Sequence, residues 1–270
     1  MIVYINRLVI LTKNKAMLNT IDTITNALAT YTVSVRGKSK AEPIQQYLAR
    51  NFSALPLSQI ESVFGFVERS TLYGGRIFER PQLSTADVLW LNNNGIGLRM
   101  PLTNHFADKA EYIKTTLMLK KYHHPLNSVI CTNDDLAVWI KAEFPHFDIE
   151  ASVIKNLNNL RQIDEALEIY DTVVLPMTAN DDDQLLDAIP DKSRIRLFAN
   201  AGCAYTCPAK ICYKSISKMN KFNGGEFKCS QPIKMRDSMG MIDFDLQRLQ
   251  DKGFHKFKLL RARLGNQTGY

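Results

Sequence analysis

The chain has 270 residues, 45% of them hydrophobic and 23% charged, with a formal net charge of +7. This is ordinary globular composition, sufficient for one large domain with a sizeable core. The positive surplus tolerates a polyanionic partner without demanding one, and no stretch approaches the ~18 apolar residues that a membrane span needs.

The chain opens MIVYINRLVILTKNK. Its apolar run is broken by Asn6 and Arg7 and has neither a basic leader nor a small-residue cleavage site, so it reads as a buried first strand. From there a short β-rich apolar run alternates with an amphipathic, helix-like segment. Strands are expected at Ile2–Leu11, Thr32–Val35, Ser62–Phe66, Gly97–Met100, Ser128–Cys131, Ile149–Val153, Thr172–Leu175, Arg194–Phe198 and Lys256–Leu260. Helices are expected at Met17–Ala29, Ala41–Arg50, Thr85–Asn93, Ala107–Tyr122, Asp134–Phe144, Leu160–Ile169, Asp181–Ala188 and Asp243–Asp251. Ser84 and Asn133 stand where N-caps belong, and acidic residues open "ANDDDQLLDAI", as the positive end of a helix dipole prefers. Strands alternating with helices predict a parallel sheet with right-handed crossovers. Eight or so such units favour a TIM-like (β/α) barrel, possibly incomplete, over an open doubly wound sheet. No G-x-G-x-x-G follows the first strand, which leaves a dinucleotide site unsupported. The whole of 1–270 reads as one barrel domain.

The region 203–241 breaks the rhythm. It carries Lys210, Lys214, Lys218, Lys221, Lys228, Lys234 and Arg236 against two acids, Glu226 and Asp237. Following a late strand, this Cys-rich basic insertion belongs over the C-terminal face of a barrel, where active sites lie.

Cys203, Cys207, Cys212 and Cys229 are spaced C-x(3)-C-x(4)-C-x(16)-C. A cytoplasmic location is expected, where glutathione and thioredoxin keep thiols reduced, so clustered cysteines point to metal rather than to disulfides. Closely spaced thiolates on a loop cost little entropy to gather around a soft metal. The C-x(2)-C of a zinc hairpin is absent, and so is the radical-SAM spacing C-x(3)-C-x(2)-C. Pro208 directly after Cys207 suits an iron–sulfur ligand. An iron–sulfur cluster, zinc, and buried apolar thiols without metal all remain open on spacing alone. Cys131, at a strand end, reads as core.

The five histidines, His105, His123, His124, His146 and His255, form no H-x(3)-H and no H-E-x-x-H. His123 and His124 stand at a helix end, where an imidazolium suits the dipole. In "LYGGR", Gly74 and Gly75 permit close backbone approach, and Arg76 is placed to clamp a carboxylate or phosphate; a plain turn is the bland alternative. "GLRMPLTNH" puts Thr103 and Asn104 at a strand's C-terminal end, with Asn104 either at the site mouth or capping the next helix. "SVRGKSKAEP" packs Arg36, Lys38 and Lys40 around Gly37 without phosphate-loop spacing, and reads as a basic loop.

The run from Ala151 to Pro208, "ASVIKN…LRQIDEALEIYDTVVLP…RIRLFANAGCAYTCP", resembles the collagenase-like peptidase U-32 family. Asn200, Gly202, Cys203, Cys207 and Pro208 carry the most specific part of the likeness. Weaker echoes are Gly75–Arg76, Gly95–Ile96 leading to Asn104, and Phe257–Leu259. The resemblance implies a TIM-like barrel carrying a cysteine-ligated cluster, often [4Fe-4S]. It also implies oxygen-independent hydroxylation of RNA bases or of a quinone precursor, besides the peptidase activity historically claimed for the family. Arg76, Asn104 and Asn200 are then candidate substrate-binding residues, and Cys203, Cys207, Cys212 and Cys229 the metal ligands. Two departures stand out: Cys212 lies where relatives often show a histidine, and "FKLLRAR" lacks the glycine of Phe-Lys-x-x-Gly-Arg. The alternative reading is a zinc-stabilised or metal-free RNA-binding scaffold; a peptidase ranks lower, since no Ser–His–Asp, Cys–His or zincin pattern is visible. The partners expected are RNA or another anionic substrate and a partner subunit or electron donor, with no membrane.

Overall fold

The computed structural model describes residues 28–207, 209–231 and 242–261. The expected strand Ile2–Leu11, residues 17–27 of the expected first helix, Pro208, Lys234 and Arg236 lie outside these. Leu28 and Ala29 are irregular rather than helical.

Eight parallel strands close into a barrel in sequence order: β1 (Thr30–Ser34), β2 (Ile60–Phe64), β3 (Gly97–Leu102), β4 (Ser128–Cys131), β5 (Asp148–Ala151), β6 (Thr172–Val174), β7 (Ile195–Phe198) and β8 (Lys256–Leu259). Pairing of β8 with β1, Phe257 opposite Tyr31, seals the ring. Around it lie α1 (Ile44–Asn51), α2 (Thr85–Asn93), α3 (Lys109–Tyr122), α4 (Asp134–Glu143), α5 (Leu160–Leu167), α6 (Asp183–Ala188), α7 (Cys212–Phe222) and α8 (Leu246–Asp251). Eight of the nine expected strands are present with ends shifted by at most two residues. No helix among the described residues is long and apolar enough to cross a membrane.

Local chemistry sets the helix starts. Ser84 and Asp87 form a capping box on α2, and Asn133 accepts from Leu136 N–H at the start of α4. The start of α3 is capped by Asp108, two residues inside the expected boundary. Lys38, expected in an exposed basic loop, is instead buried: its ammonium donates to Asp87 at 2.9 Å and to the carbonyls of Ser39 and Gln82. The α2 capping carboxylate therefore also ties down the loop after β1.

The apolar core lies mainly between the barrel and its helices, with Leu98, Met100, Val129, Ile149, Val173 and Leu197 supplied by the strands. Inside the barrel the layers differ sharply. Thr32, Arg99, Glu150 and Arg196, from alternate strands β1, β3, β5 and β7, are all buried. Arg99 and Arg196 both donate to Glu150 Oε2, Arg196 at 2.8 Å, and both reach Glu61. Above this charged layer, Phe64, Ile130 and Val174 from β2, β4 and β6 form a small apolar cluster, and β8 contributes Lys258.

Burial disfavours the charged form of Glu150, but Arg99, Arg196 and Lys258 outweigh it and hold the carboxyl below its ordinary range. Substituting one partner of such a buried network strands the others. Glu150→Gln is therefore expected to lower the free energy of unfolding by about 3–5 kcal/mol in urea denaturation. For Glu61, burial again opposes ionisation, while Arg196 and Arg99 prevail and bring the carboxyl down to about 2. Its contribution to stability is complete above its ordinary value of 4.5 and is lost as pH falls toward 2. Thermal unfolding followed across that window should show a shallower acid loss in Glu61→Gln than in the parent chain.

Candidate thiol site at the barrel mouth

After β7 the chain leaves the barrel and returns only at α8. The two feet of this excursion are pinned together: Ala201 N–H donates to Ile242 O at 2.8 Å, and Phe244 N–H donates to Ala199 O at 3.1 Å. Within it, α7 was not legible as a helix, because its buried face carries Ser215, Ser217 and Asn220 beside Tyr213 and Ile216. Those polar side chains grip neighbouring loops. Asn220 donates to the carbonyls of Tyr73 and Arg76 and accepts from Phe78 N–H at 2.9 Å. From the far side, Asn104 donates to Ser217 O at 2.9 Å. The loops after β2 and β3 therefore hold α7 across the C-terminal mouth.

Gly74 makes this approach possible. A Cβ there would lie 2.2 Å from Thr103 O, and Gly75 adopts φ +72°, so the paired glycines fit the loop against the end of β3. Arg76, immediately after them, projects over the mouth, its guanidinium 4.9 Å from the Phe66 ring centroid and 5.7 Å from that of Phe64.

All the described cysteines are free thiols. Cys203, Cys212 and Cys229 line one cavity of about 550 Å³ together with Arg36, Arg76 and Arg80. Cys229 is brought there because Lys228 N–H donates to Ser215 Oγ on α7 at 3.1 Å. Cys207 is buried alongside, its sulfur 3.2 Å from Ser230 Oγ and accepting from Lys210 N–H at 3.4 Å. A second backbone amide, that of Gln231, donates to Cys229 Sγ.

The thiols also influence one another electrostatically. Burial, followed by the proximity of Cys203, Cys229 and Cys207, pushes the Cys212 thiol up to about 11. For Cys207, burial works upward but hydrogen bonds from Ser230, Lys210, Gln231 and Ala209 outweigh it, so its thiol titrates below the ordinary value. Three of the four sulfurs line one cavity with Cys207 buried nearby, and among the described residues no group of three or more His, Cys, Asp or Glu side chains is arranged to hold a metal ion. In chemistry the donor set suits an iron–sulfur cluster or zinc: four thiols, with amide hydrogen bonds to two of the sulfurs.

The expected substrate residues separate. Arg76 faces the cavity. Asn104 does not: it is fully buried, donates to the carbonyls of Thr71, Tyr73 and Ser217, and accepts from Phe106 N–H, so its amide is engaged by backbone. Asn200 is likewise structural, donating to Arg261 O and accepting from Leu260 N–H, both at 2.9 Å, which fixes the end of β8.

Two lysines of the excursion have side-chain partners away from the thiols. Lys210 donates to Asn156, and Lys221 pairs with Asp108 and Glu111. The arginines around the cavity come from the loops after β1 and β2. Arg80 was missed in the sequence because nothing local marks it; only the folded loop brings it to the thiols. Cys131 is fully buried in the main core, as its place at a strand end suggested.

No family model matches the sequence, and no curated protein matches it. The solved structure of the U32 peptidase Mk0906 is similar, with a TM-score of 0.59 at 11% identity, over 86% of this chain and 92% of that one. At that identity the likeness is one of fold.

Maleimide labelling of the native protein, read by peptide mass mapping, should modify Cys203 and Cys229 well before Cys131. The Cys131 thiol is raised by burial and sealed from solvent.

Proposed function

We propose that Cys203, Cys207, Cys212 and Cys229 hold a [4Fe-4S] cluster beside a substrate cavity, in an enzyme for oxygen-independent hydroxylation or a related modification of RNA or a small aromatic substrate. One observation carries this reading: three of the thiols, Cys203, Cys212 and Cys229, line a cavity of about 550 Å³ over the C-terminal mouth of the barrel. When bound, the cluster supplies one-electron redox chemistry.

The chain's own residues would do the rest. Arg36, Arg76 and Arg80 present a cationic wall suited to phosphate or carboxylate. Phe66 and Phe227 give the cavity apolar faces against which a flat ring packs. A volume of about 550 Å³ falls within the range of small-molecule sites and accommodates a nucleobase with its sugar.

The peptidase activity named for the structural neighbour has less support here. No histidine lines the thiol cavity among the described residues. Among the described residues, the His–Ser contact of His105 Nδ1 with Ser217 Oγ at 3.2 Å involves a fully buried serine that no peptide can reach.

Anaerobic purification tests the proposal. A brown protein with about four irons and matching acid-labile sulfide per chain is expected, and each Cys→Ser substitution should lower both. A colourless protein holding one zinc would replace the cluster with a structural metal, and a metal-free preparation would remove the reading altogether. Where RNA is the substrate, its binding weakens steeply with salt, and Arg36→Gln with Arg80→Gln reduces that slope.

A further inference from the structure

A second cavity, of about 60 Å³, lies at the centre of the mouth and shares Gly75 and Arg76 with the thiol cavity. Its wall is largely apolar, with Phe64, Pro101, Ile130 and Leu260, and it contains one lysine, Lys258. The Lys258 side chain is buried on β8, with its ammonium 4.7 Å from the Phe64 ring centroid. Its nearest carboxylate oxygen is Glu150 Oε1 at 3.8 Å, beyond hydrogen-bond reach, and that oxygen has no hydrogen-bond partner of its own.

A structural lysine here would serve as counter-ion to Glu150. Lys258 plays that part only at 3.8 Å, whereas Arg99 and Arg196 both donate directly to the other oxygen of the same carboxylate. The interior holds Arg99, Arg196 and Lys258 against Glu61 and Glu150, which leaves one cation in excess. Burial first, and then Arg99, Arg196 and Arg76, bring the Lys258 ammonium down to about 8 despite the pull of Glu150. A lysine desolvated in an apolar pocket beside other cations is how an amine nucleophile toward carbonyl compounds is activated.

We propose that Lys258 is a nucleophilic amine that forms an imine with a small 2-oxo acid at the barrel mouth, whose carboxylate Arg76 receives. The two cations flank one aromatic ring, Arg76 at 5.7 Å and Lys258 at 4.7 Å from the Phe64 centroid. A short acid with adjacent carbonyl and carboxylate carbons suits that arrangement. In the step, the neutral amine adds to the carbonyl carbon, forming a C–N bond while the oxygen takes a proton. Loss of that hydroxyl as water breaks the C–O bond. Amine and ketone thus give imine and water, with no oxidant or reductant. The first nitrogen proton goes to the carbonyl oxygen and the second leaves with the departing hydroxyl as water, so the step balances without a net acid or base. None of the thiols takes part, so this inference stands apart from the cluster.

The test incubates the full chain with pyruvate and sodium cyanoborohydride, then maps the reduced adduct by peptide mass spectrometry. One saturable adduct is expected on the peptide bearing Lys258. Lys258→Met should abolish it, and Arg76→Gln should raise the half-saturating pyruvate concentration roughly tenfold, with a smaller effect on acetone, which has no carboxylate for Arg76 to receive. Absence of the Lys258 adduct in the unsubstituted chain would overturn the proposal, as would labelling spread evenly over exposed lysines. That mapping needs no variant, so it decides even where Lys258→Met fails to fold. Iron assayed on the same sample separates the two readings: an iron-free chain that still forms the adduct removes only the cluster.

Discussion

Glu150 accepts hydrogen bonds from two arginines on one carboxylate oxygen in the middle of a closed barrel. An ion in that position has lost its hydration and is held only by its partners. The layout of the interior follows from this requirement. Arg99 and Arg196 must come from the strands on either side of β5 but one, which places all three in a single layer. Ser62 accepts from Arg99 and bonds Thr32, which gives part of the remaining polar surface a partner. The large branched side chains that usually fill such a layer are displaced upward, to Phe64, Ile130 and Val174, where they form the apolar floor of the mouth. Lys258 emerges into that floor as the one cation the layer does not absorb.

The roof of the mouth is built on a different principle. Little apolar surface holds α7 in place; side-chain amides reading backbone carbonyls do so, with Asn220 on one side and Asn104 on the other. Such contacts fix position and orientation closely while contributing modestly to stability. This suits a segment whose task is to present side chains at set places. The glycines at 74 and 75 are the steric counterpart, since any side chain at Gly74 would meet the Thr103 carbonyl and lift the loop away.

The barrel was legible because its signals are local. Apolar runs such as SVIC and IRLF, separated by capped amphipathic helices, imply parallel strands and crossovers before any contact is known. That Cys203 and Cys207 follow the C-terminal end of β7 was also readable from their order in the chain. What stayed hidden depends on long-range pairing. Arg99, Glu150 and Arg196 each look like a stray charge in an apolar run until barrel closure brings them together. Asn104 and Asn200, chosen for their places at strand ends, proved to be brackets for backbone because their amides met carbonyls far away in sequence. The helix α7 escaped notice because its inner face is polar, so the usual apolar period of a helix is missing. Lys258 carried no signal beyond an alternating strand pattern, and its environment is made by β2, β5 and the loop after β2.

The short antiparallel bridge between Ala199–Ala201 and Ile242–Phe244 gives the excursion a common point of departure and return. In terms of inheritance, this makes the thiol-bearing segment a cassette. Changes in the length of the loop need not shift the register of β7 or β8, because the bridge closes the excursion outside both strands. The barrel supplies the socket, and the segment is held in it by this bridge and by the amide contacts of α7.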